Sequence, residues 1–369
     1  MKSLLTILSI LLCLYLSFSS FQTSIFTELN KDFINKNLIV SPLSAYQILG
    51  LTANGAKNQT LQEILLALGN RGLNELNSIN KEIIKIVQSF TSVEMANAIM
   101  TVDKPKSAFL DVAEQYKASV ETLKGLAQVN NWCNIQTHGE IPTILDSLPP
   151  NTEMVLLNAI HFKGAWYKKF DKDKTYRTTF YNYNDFNKPK KLSEMTITED
   201  FNFYYDDDIQ MVEMPFMKDS MSAIVILPAK NIKINDFIAK LTDDKLNGYL
   251  KKLEKKTVQI DLPKFELAFN SSLISALKGL GMKVPFTYNA DFTGLMDKDL
   301  KIEVVQQKSY LKVEEDGVIA SSATAVVVVT RGGPSPYQMI VDRPFLFMLR
   351  NSELPKNYQM VMMAKIEEL

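Results

Sequence analysis

The chain has 369 residues, of which 46% are hydrophobic and 22% are charged, so it is long enough to bury a large core. It carries 41 basic and 41 acidic residues, and this balance argues against a nucleic acid or an anionic membrane as a partner, because both normally require a basic excess. No internal repeat, low-complexity linker or charge run divides the chain, so we expect one domain, although the length alone would favour two.

The N-terminus has the pattern of a secretory signal peptide over residues 1–19. Lys2 supplies the positive end, Leu4 to Leu16 form the apolar segment, and small residues follow for cleavage. The apolar segment is shorter than the roughly 20 residues that a membrane span needs. An uncleaved N-terminal helix or anchor stays open, because an amphipathic helix begins almost at once at Phe21. Cleavage would leave Cys133 without a disulfide partner.

Export would have two further consequences. Asn58 and Asn270 each begin an Asn-x-Ser/Thr sequence and are glycosylation acceptors in an exported chain. The last four residues, 366–369, weakly resemble a retrieval signal of the endoplasmic reticulum, which makes its lumen a minor alternative to secretion.

Apolar residues recur at helical spacing through much of the first half of the chain. The predicted helices are 21–33, 42–51, 59–68, 73–90, 107–123 and 129–145, the last of them broken at Gly139. Apolar segments at 38–40, 96–100 and 154–162 predict strands between these helices.

After about residue 175 apolar and polar residues alternate, which predicts strands. The predicted strands are 178–181, 201–205, 209–215, 222–228, 258–262, 302–307, 310–313, 339–341, 345–349 and 360–365, with helices at 234–241, in the segment leading to 253, and at 273–280. Helices dominate the first half and strands the second, without a linker, so we predict one interlaced α+β domain.

The two histidines, His138 and His161, are the candidates for a catalytic base. Neither accompanies a Gly-x-Ser-x-Gly elbow or a nucleophilic cysteine motif, so we interpret both as structural and the chain as not an enzyme. No pair among these histidines and Cys133 has a recognised ligand spacing, and phosphate-binding loops are absent, so we expect neither a metal nor a cofactor. Lys81 and Lys85 have acidic neighbours, which favours a solvated face over a polyanion site.

The most unusual stretch of the chain lies between Gly317 and Arg331. Residues 318–330 are uncharged and small or β-branched, which favours a strand of about 45 Å at roughly 3.3 Å per residue. Turn or loop residues stand on both sides, at 314–317 and 332–334. A strand-former held outside a sheet is an aggregation hazard unless the fold has a use for it, so we infer that the function depends on this stretch.

Several segments together resemble the serpin family of protease inhibitors, in the family's order and over essentially the whole chain after residue 20. These segments are NLIVSPLS at 37–44, NAIHFKGAW at 158–166, LPKF at 262–265, LGM at 280–282, ADFTG at 290–294, EDG at 315–317 and DRPFLF at 342–347. The resemblance implies a single domain over residues 20–369 with the serpin fold: three β-sheets, eight to nine helices and an exposed reactive-centre loop at about 315–340.

In inhibitory serpins a protease attacks this loop, is trapped as an acyl-enzyme, and is carried across the molecule as the loop inserts into the central sheet. An unpaired strand-former is kinetically trapped, and insertion relaxes it through ladder hydrogen bonds and burial. The inserting residues must be small and uncharged, since desolvating a charge costs several kcal/mol. Ile319, where the family often has glutamate, is expected to face outward. The residues that we assign to the hinge are Glu315, Gly317, Val318, Ala320, Ser321, Ser322 and Ala323.

The family's usual fourteen-residue spacing from the hinge glycine puts Arg331 immediately before the scissile bond and Gly332 immediately after it. Arginine there fits the acidic primary pocket of a trypsin-like serine protease. We therefore expect a secreted, monomeric inhibitor that forms a covalent complex with such a protease. Three alternatives stay open: a non-inhibitory binding or chaperone-like serpin, an inhibitor of a papain-like cysteine protease, and a scissile bond one residue away.

By resemblance, Ser41, Ser44, Asn158 and Gln307 belong to the shutter, where the central strands part, and Trp166 belongs to the breach, where insertion begins. Asn158 lies in an apolar run, so its amide needs hydrogen-bond partners in the core. Gln307 stands where the family often has histidine. Because glutamine also donates and accepts, we expect altered shutter strength rather than lost function.

Overall fold

The computed structural model describes residues 20–70, 72–139, 142–185, 187–318 and 336–369. Over these ranges the chain forms nine α-helices, which we number α1 to α9. They are α1 (Phe21–Asn30), α2 (Pro42–Gly55), α3 (Asn58–Ala67), α4 (Leu73–Val87), α5 (Ser107–Gln115), α6 (Leu126–Gln136), α7 (Ile234–Ala239), α8 (Asp243–Leu250) and α9 (Ile274–Gly279).

The same ranges contain sixteen strands, β1 to β16. They are β1 (Leu38–Val40), β2 (Val93–Thr101), β3 (Ser119–Thr122), β4 (Met154–Phe162), β5 (Gly164–Ala165), β6 (Tyr176–Tyr181), β7 (Pro189–Tyr205), β8 (Ile209–Pro215), β9 (Met221–Pro228), β10 (Glu254–Pro263), β11 (Phe265–Ser272), β12 (Val304–Val313), β13 (Gly317–Val318), β14 (Tyr337–Ile340), β15 (Phe345–Asn351) and β16 (Met360–Ile366).

A five-stranded sheet with the order β11-β12-β4-β2-β3 carries the site described below. Its strands β4 and β12 are parallel neighbours, paired from Val155 with Val304 to His161 with Tyr310. We call the line along which these two strands pair the seam. Every residue of β4 is buried, which explains its almost uninterrupted apolar sequence.

Two further sheets complete the described architecture. A nine-stranded sheet has the order β1-β16-β15-β9-β8-β7-β10-β14, with β6 beside β7. The short strands β5 and β13 form a two-stranded sheet at the end of the seam that lies beyond His161. The α+β class and the three sheets expected from the sequence are therefore confirmed.

Helix α2 lies between the two large sheets, in contact with β2 and β4 on one side and with β16 on the other. The side chain of Ser41 caps this helix, because its Oγ accepts a hydrogen bond from the Ser44 backbone N–H at 3.2 Å. Pro42 occupies the first turn, where its missing N–H is not needed. The cap therefore fixes two small hydroxyl side chains beside the seam.

The prediction of a helix over 107–123 is wrong in its second half. Helix α5 ends at Gln115, and Lys117 then adopts a left-handed φ of 54°, which an α-helix cannot accommodate. Residues 119–122 form β3, which pairs with β2 in parallel. Pairing with an existing sheet edge has overridden the local helical pattern.

Other boundaries also differ from the predictions, and two of these differences have a clear physical cause. The predicted helix over 129–145 begins at Leu126 and ends at Gln136, because the chain turns away where His138 and Gly139 have φ values of 52° and 87°. The predicted strands 302–307 and 310–313 are a single strand, β12. Its polar middle is satisfied by partners from other elements, so the strand continues through it.

Candidate functional site

A cluster of buried polar side chains crosses the middle of the seam. It consists of Ser41, Ser44, Asn97, Asn158 and Gln307, and we call it the shutter cluster. Asn158 and Gln307 are register partners on β4 and β12, and the Gln307 amide donates to Asn158 Oδ1 at 2.6 Å. The Asn158 amide in turn donates to Asn97 Oδ1 at 2.5 Å and to Ser44 Oγ. The prediction that Asn158 finds partners in the core is confirmed.

Both the oxygen and the nitrogen of the Gln307 side-chain amide form hydrogen bonds with Ser41. Its Oε1 accepts from the Ser41 backbone N–H at 2.6 Å, and its Nε2 donates to the Ser41 carbonyl at 3.1 Å. The Ser41 hydroxyl donates to the Val361 carbonyl on β16 at 2.6 Å. Glutamine therefore ties β12 to the start of α2 and, through it, to the nine-stranded sheet.

The sequence analysis missed Asn97. This residue lies on β2 directly opposite Asn158 and accepts hydrogen bonds from both Asn158 and Ser44. Its signal was present, since Asn97 stands in an apolar segment in the same way as Asn158 does. Only the register of β2 against β4 identifies it as part of the cluster.

Trp166, which the family resemblance assigns to the breach, lies just beyond the end of the seam. Its indole N–H donates to the Glu314 carbonyl at 2.9 Å, and its backbone N–H donates to the Asp316 carbonyl at 3.2 Å. The ring is buried and stacks on Phe216, with 4.4 Å between centroids and 12° between planes. Trp166 thus holds the turn that follows β12.

Glu315 is held by two partners that the sequence analysis did not assign. Lys264 Nζ lies 2.8 Å from Glu315 Oε2, and the Thr175 hydroxyl donates to Glu315 Oε1 at 2.7 Å. Burial alone would raise the pKa of the Glu315 carboxyl, but these two hydrogen bonds outweigh it and hold that pKa below its usual range. Lys264 belongs to the LPKF segment, which is part of the family resemblance. The sequence alone, however, does not indicate that its partner is Glu315.

The next carboxylate is also paired. Asp316 contacts Lys172 Nζ at 2.5 Å and Lys169 Nζ at 3.3 Å. The hydrogen bond from Lys172 is the main reason that the pKa of Asp316 lies below its usual range. Three lysines therefore anchor the two carboxylates that precede Gly317.

In this conformation only glycine fits at position 317. Its φ is 129°, in the region that favours glycine, and a Cβ there would lie 2.2 Å from the Gly164 carbonyl oxygen. Backbone pairing of Gly317 with Ala165 and of Val318 with Gly164 brings the chain against β5.

Several residues of the predicted hinge and reactive bond lie outside the described residues, as does the segment 1–19. They are Ile319, Ala320, Ser321, Ser322, Ala323, Arg331 and Gly332.

Both histidines lie beside one carboxylate on the five-stranded sheet. Glu94 lies 3.5 Å from His138 Nε2 and 3.7 Å from His161 Nδ1. The buried His161 ring makes a T-shaped contact with the ring of Tyr310.

Among the residues that the structure describes, no group of three or more His, Cys, Asp or Glu side chains could hold a metal ion. Within the same ranges, none of the helices has the length and apolar character needed to cross a membrane.

The family model for serpins, described as serine protease inhibitors, matches residues 17–365. The chain therefore belongs to the serpin family, the family of serine protease inhibitors.

Its curated relatives include named inhibitors. Iripin-2 of Ixodes ricinus is 32% identical over 338 residues, which are 86% of this chain and 85% of that protein. Serine protease inhibitor 42Dd of Drosophila melanogaster is 31% identical over 369 residues, 92% of this chain and 96% of the relative. Alpha-2-antiplasmin of Bos taurus is 33% identical and covers 89% of this chain and 68% of its own length.

Solved structures share the fold. The thermophilic serpin tengpin in its native state is 26% identical with a TM-score of 0.86, covering 95% of this chain and 92% of its own. Serpin48 of Tenebrio molitor is 26% identical with a TM-score of 0.81, covering 95% and 97%. Human thyroxine-binding globulin, at 24% identity and a TM-score of 0.86 over 95% of this chain and 97% of its own, shows the fold alone.

Proposed function

We propose that the chain is a suicide-substrate inhibitor of trypsin-like serine proteases, with Arg331 as the residue before the scissile bond. The protease serine attacks the Arg331 carbonyl, the bond to Gly332 breaks, and the new amino group of Gly332 leaves with the proton that the serine gives up. An ester then links the protease to Arg331. Insertion of the segment that begins at Val318 carries the esterified protease away from the site of attack.

The parallel pairing of β4 with β12, together with the turn that follows β12, is the observation that carries this proposal. The chain reverses at residues 314–317, where the backbone groups of Glu314 and Gly317 hydrogen-bond to each other. A strand continuing from this turn into the seam would run antiparallel to both neighbours. Insertion would therefore replace one parallel pairing with two antiparallel pairings, which are slightly more stable per residue.

The shutter cluster sets the resistance to this insertion. Separating β4 from β12 must break the hydrogen bond between Gln307 and Asn158. The side chains that enter next, Val318, Ala320 and Ser322, are small and uncharged, so no charge has to be desolvated. These features support inhibition by insertion of the loop.

Incubation with trypsin tests the proposal. We expect a covalent complex that survives SDS and has the summed mass of trypsin and the chain up to Arg331. Arg331→Glu should abolish the complex, whereas Arg177→Glu, at an exposed arginine on β6, should leave it unchanged. Trypsin that emerges fully active after cutting the loop would contradict the proposal.

We further propose that the chain is a monomer of one domain, residues 20–369, secreted after removal of residues 1–19. It would act without a cofactor, nucleic acid or membrane. Asn58 and Asn270 have exposed positions, which supports their use as glycosylation sites in a secreted protein. Expression in a eukaryotic cell tests this, since the medium should contain a chain that begins near Phe21 and loses mass on treatment with glycosidase. Retention in the endoplasmic reticulum would contradict secretion.

A further inference from the structure

Two half-exposed tyrosines share one surface of the nine-stranded sheet. Tyr205 at the end of β7 and Tyr337 at the start of β14 are 48% and 43% exposed, and their ring centroids lie 5.4 Å apart. The buried Phe203 ring lies beneath them, 5.9 Å and 5.8 Å from their centroids. Lys256 on β10 places its ammonium 5.3 Å from the Tyr205 ring and 5.4 Å from the Tyr337 ring. We call Tyr205, Tyr337 and Lys256 the tyrosine patch.

The tyrosine patch is ordered before any partner arrives. Each tyrosine ring contacts the other ring, the Phe203 ring and the Lys256 ammonium. The Lys256 ammonium also forms an ion pair with Glu254 at 3.5 Å. Binding therefore freezes few additional side-chain rotations, which lowers the entropic cost of association. Tyrosine is also enriched among the residues that dominate protein–protein binding energies, because it combines apolar area with a polar tip.

The position of the patch in the chain determines what covers it. Tyr337 follows Arg331 by six residues, so the two lie at most about 20 Å apart even in a fully extended chain. A protease domain of roughly 230 residues is on the order of 45 Å across. A protease seated on Arg331 is therefore wide enough to reach the tyrosine patch.

We propose that the tyrosine patch is a second contact surface for the trypsin-like protease that attacks Arg331. This inference rests on the proposed function and adds to it a determinant of recognition on the C-terminal side of the scissile bond. Cleavage separates Tyr337 from Arg331, and the ester remains on Arg331. The patch therefore accelerates the encounter and contributes nothing to the final covalent complex.

Inhibition kinetics with trypsin test the inference. The double variant Tyr205→Ala/Tyr337→Ala should lower the second-order rate constant of inhibition at least about tenfold, with an unchanged stoichiometry. Lys256→Ala should lower the rate constant in the same direction by a smaller factor. The unchanged stoichiometry distinguishes a role in docking from damage to the sheet, because damage would alter the competition between insertion and release.

Tyr288 provides a matched control. It is 77% exposed and has the Lys301 ammonium 4.4 Å from its ring centroid, so it is another tyrosine–lysine pair. It lies near the start of β12, at the end of the seam opposite to the breach. Tyr288→Ala should keep the rate constant within about twofold of the unaltered chain.

The outcomes separate this inference from the proposed function. Equal rate constants for the double variant and for the Tyr288 control would overturn the inference and leave the proposed function standing. Absence of any covalent complex with the unaltered chain would instead overturn the proposed function.

The patch can then still be tested by surface plasmon resonance with a trypsin whose nucleophilic serine is replaced by alanine. The double variant should bind this inactive trypsin at least about tenfold more weakly, and binding equal to that of the unaltered chain would contradict the inference.

If the double variant does not fold, Lys256→Glu alone serves as the test, since it leaves both rings in place. It should lower the rate constant at least threefold at low salt, and this loss should shrink as added salt screens the new charge. A rate constant unchanged at all salt concentrations would overturn the inference.

Discussion

The side-chain amide of Gln307 on β12 donates to Asn158 Oδ1 on β4 at 2.6 Å, directly across the seam that the proposed insertion must open. Both side chains are buried and belong to one connected network with Ser41 and Ser44. In a low-dielectric interior such a network is strong while it is complete and costly once a member is lost. The seam is therefore closed by a small number of specific hydrogen bonds.

Replacement of Gln307 by alanine should weaken the seam. It leaves the Ser41 backbone N–H and Asn158 Oδ1 without this partner, at a cost of roughly 1–3 kcal/mol. We expect a lower midpoint of thermal unfolding, measured by circular dichroism, and a higher rate of spontaneous self-association on mild heating.

Two further substitutions provide comparisons for the thermal midpoint of Gln307→Ala. Gln307→His should cost less than alanine, because a neutral imidazole has one donor for Asn158 and one acceptor for the Ser41 N–H. Gln338→Ala, at an exposed glutamine on β14, should leave the midpoint unchanged. Equal midpoints for Gln307→Ala and Gln338→Ala would refute the role assigned to the network.

The ion pair between Lys264 and Glu315 should matter more than an ordinary surface pair. Its carboxylate is only 5% exposed, so Lys264→Met would leave a nearly buried charge with Thr175 as its remaining side-chain partner. We expect a loss of about 2 kcal/mol in the free energy of unfolding. Lys168→Met, which removes a more exposed pair with Glu199 at 3.0 Å, should change that free energy by less than about 0.5 kcal/mol.

The same pair has a defined pH dependence. The folded-state pKa of Glu315 lies below the ordinary 4.5, so its contribution to stability is present above about pH 4.5 and is lost as the pH falls through the folded-state value. The difference between the unaltered chain and Lys264→Met should therefore narrow on acidification. A difference that stays constant from pH 7 to pH 3.5 would show that the pair does not act through its charge.

Glu194 should give the opposite pH dependence. It is buried, and burial and the nearby Asp261 raise its pKa to about 7, with a smaller contribution from Asp342. The folded state thus binds a proton that the unfolded chain releases near pH 4.5, so stability falls as the pH rises from about 4.5 to 7. Glu194→Gln should remove this loss and stabilise the fold at pH 8 by roughly 2–3 kcal/mol.

Thermal midpoints at pH 5 and pH 8 test the prediction for Glu194. The two midpoints should lie closer together in Glu194→Gln than in the unaltered chain. Glu199→Gln, at another carboxylate of β7, is the control and should preserve the difference between the two pH values. A gap that is the same in all three proteins would contradict the assignment.

Gly317 should tolerate substitution poorly. A Cβ at this position would collide with the Gly164 carbonyl and would require a φ of 129°, so we expect Gly317→Ala to lower the thermal midpoint and raise the stoichiometry of inhibition. Gly248→Ala provides the control, because that glycine lies in α8 with open space around its Cα. The control should be neutral or stabilising by about 0.5–1 kcal/mol. Similar effects of the two substitutions would argue against a special role for Gly317.

The sequence predicted the fold class and most elements, because their apolar periodicity is decided within a few residues. Residues 119–122 were predicted as helix because nothing local reveals that β2 offers them a free edge. Asn158 was recognised as a polar residue in an apolar strand, which implies partners. The identity of those partners depends on the register of three strands.

The surroundings of Trp166 and Glu315 show the same limit. Trp166 and Glu315 were found by resemblance, whereas Lys264 and Thr175, which hold Glu315, are distant from it in the chain. Lys264 lies between β10 and β11 and Thr175 lies just before β6, where a charged or hydroxyl side chain is ordinarily solvated, so neither residue indicates a partner by itself. Only the folded chain brings them within hydrogen-bond distance.

In the proposed function, the seam accepts the segment after Gly317 as a new strand. The most direct test is the thermal midpoint before and after a single cut within residues 319–335, made by a protease that is not trapped and verified by mass. A new central strand adds on the order of ten backbone hydrogen bonds, so we expect the midpoint to rise by at least about 10 °C. A midpoint that stays the same after the cut would contradict insertion and would indicate a non-inhibitory serpin.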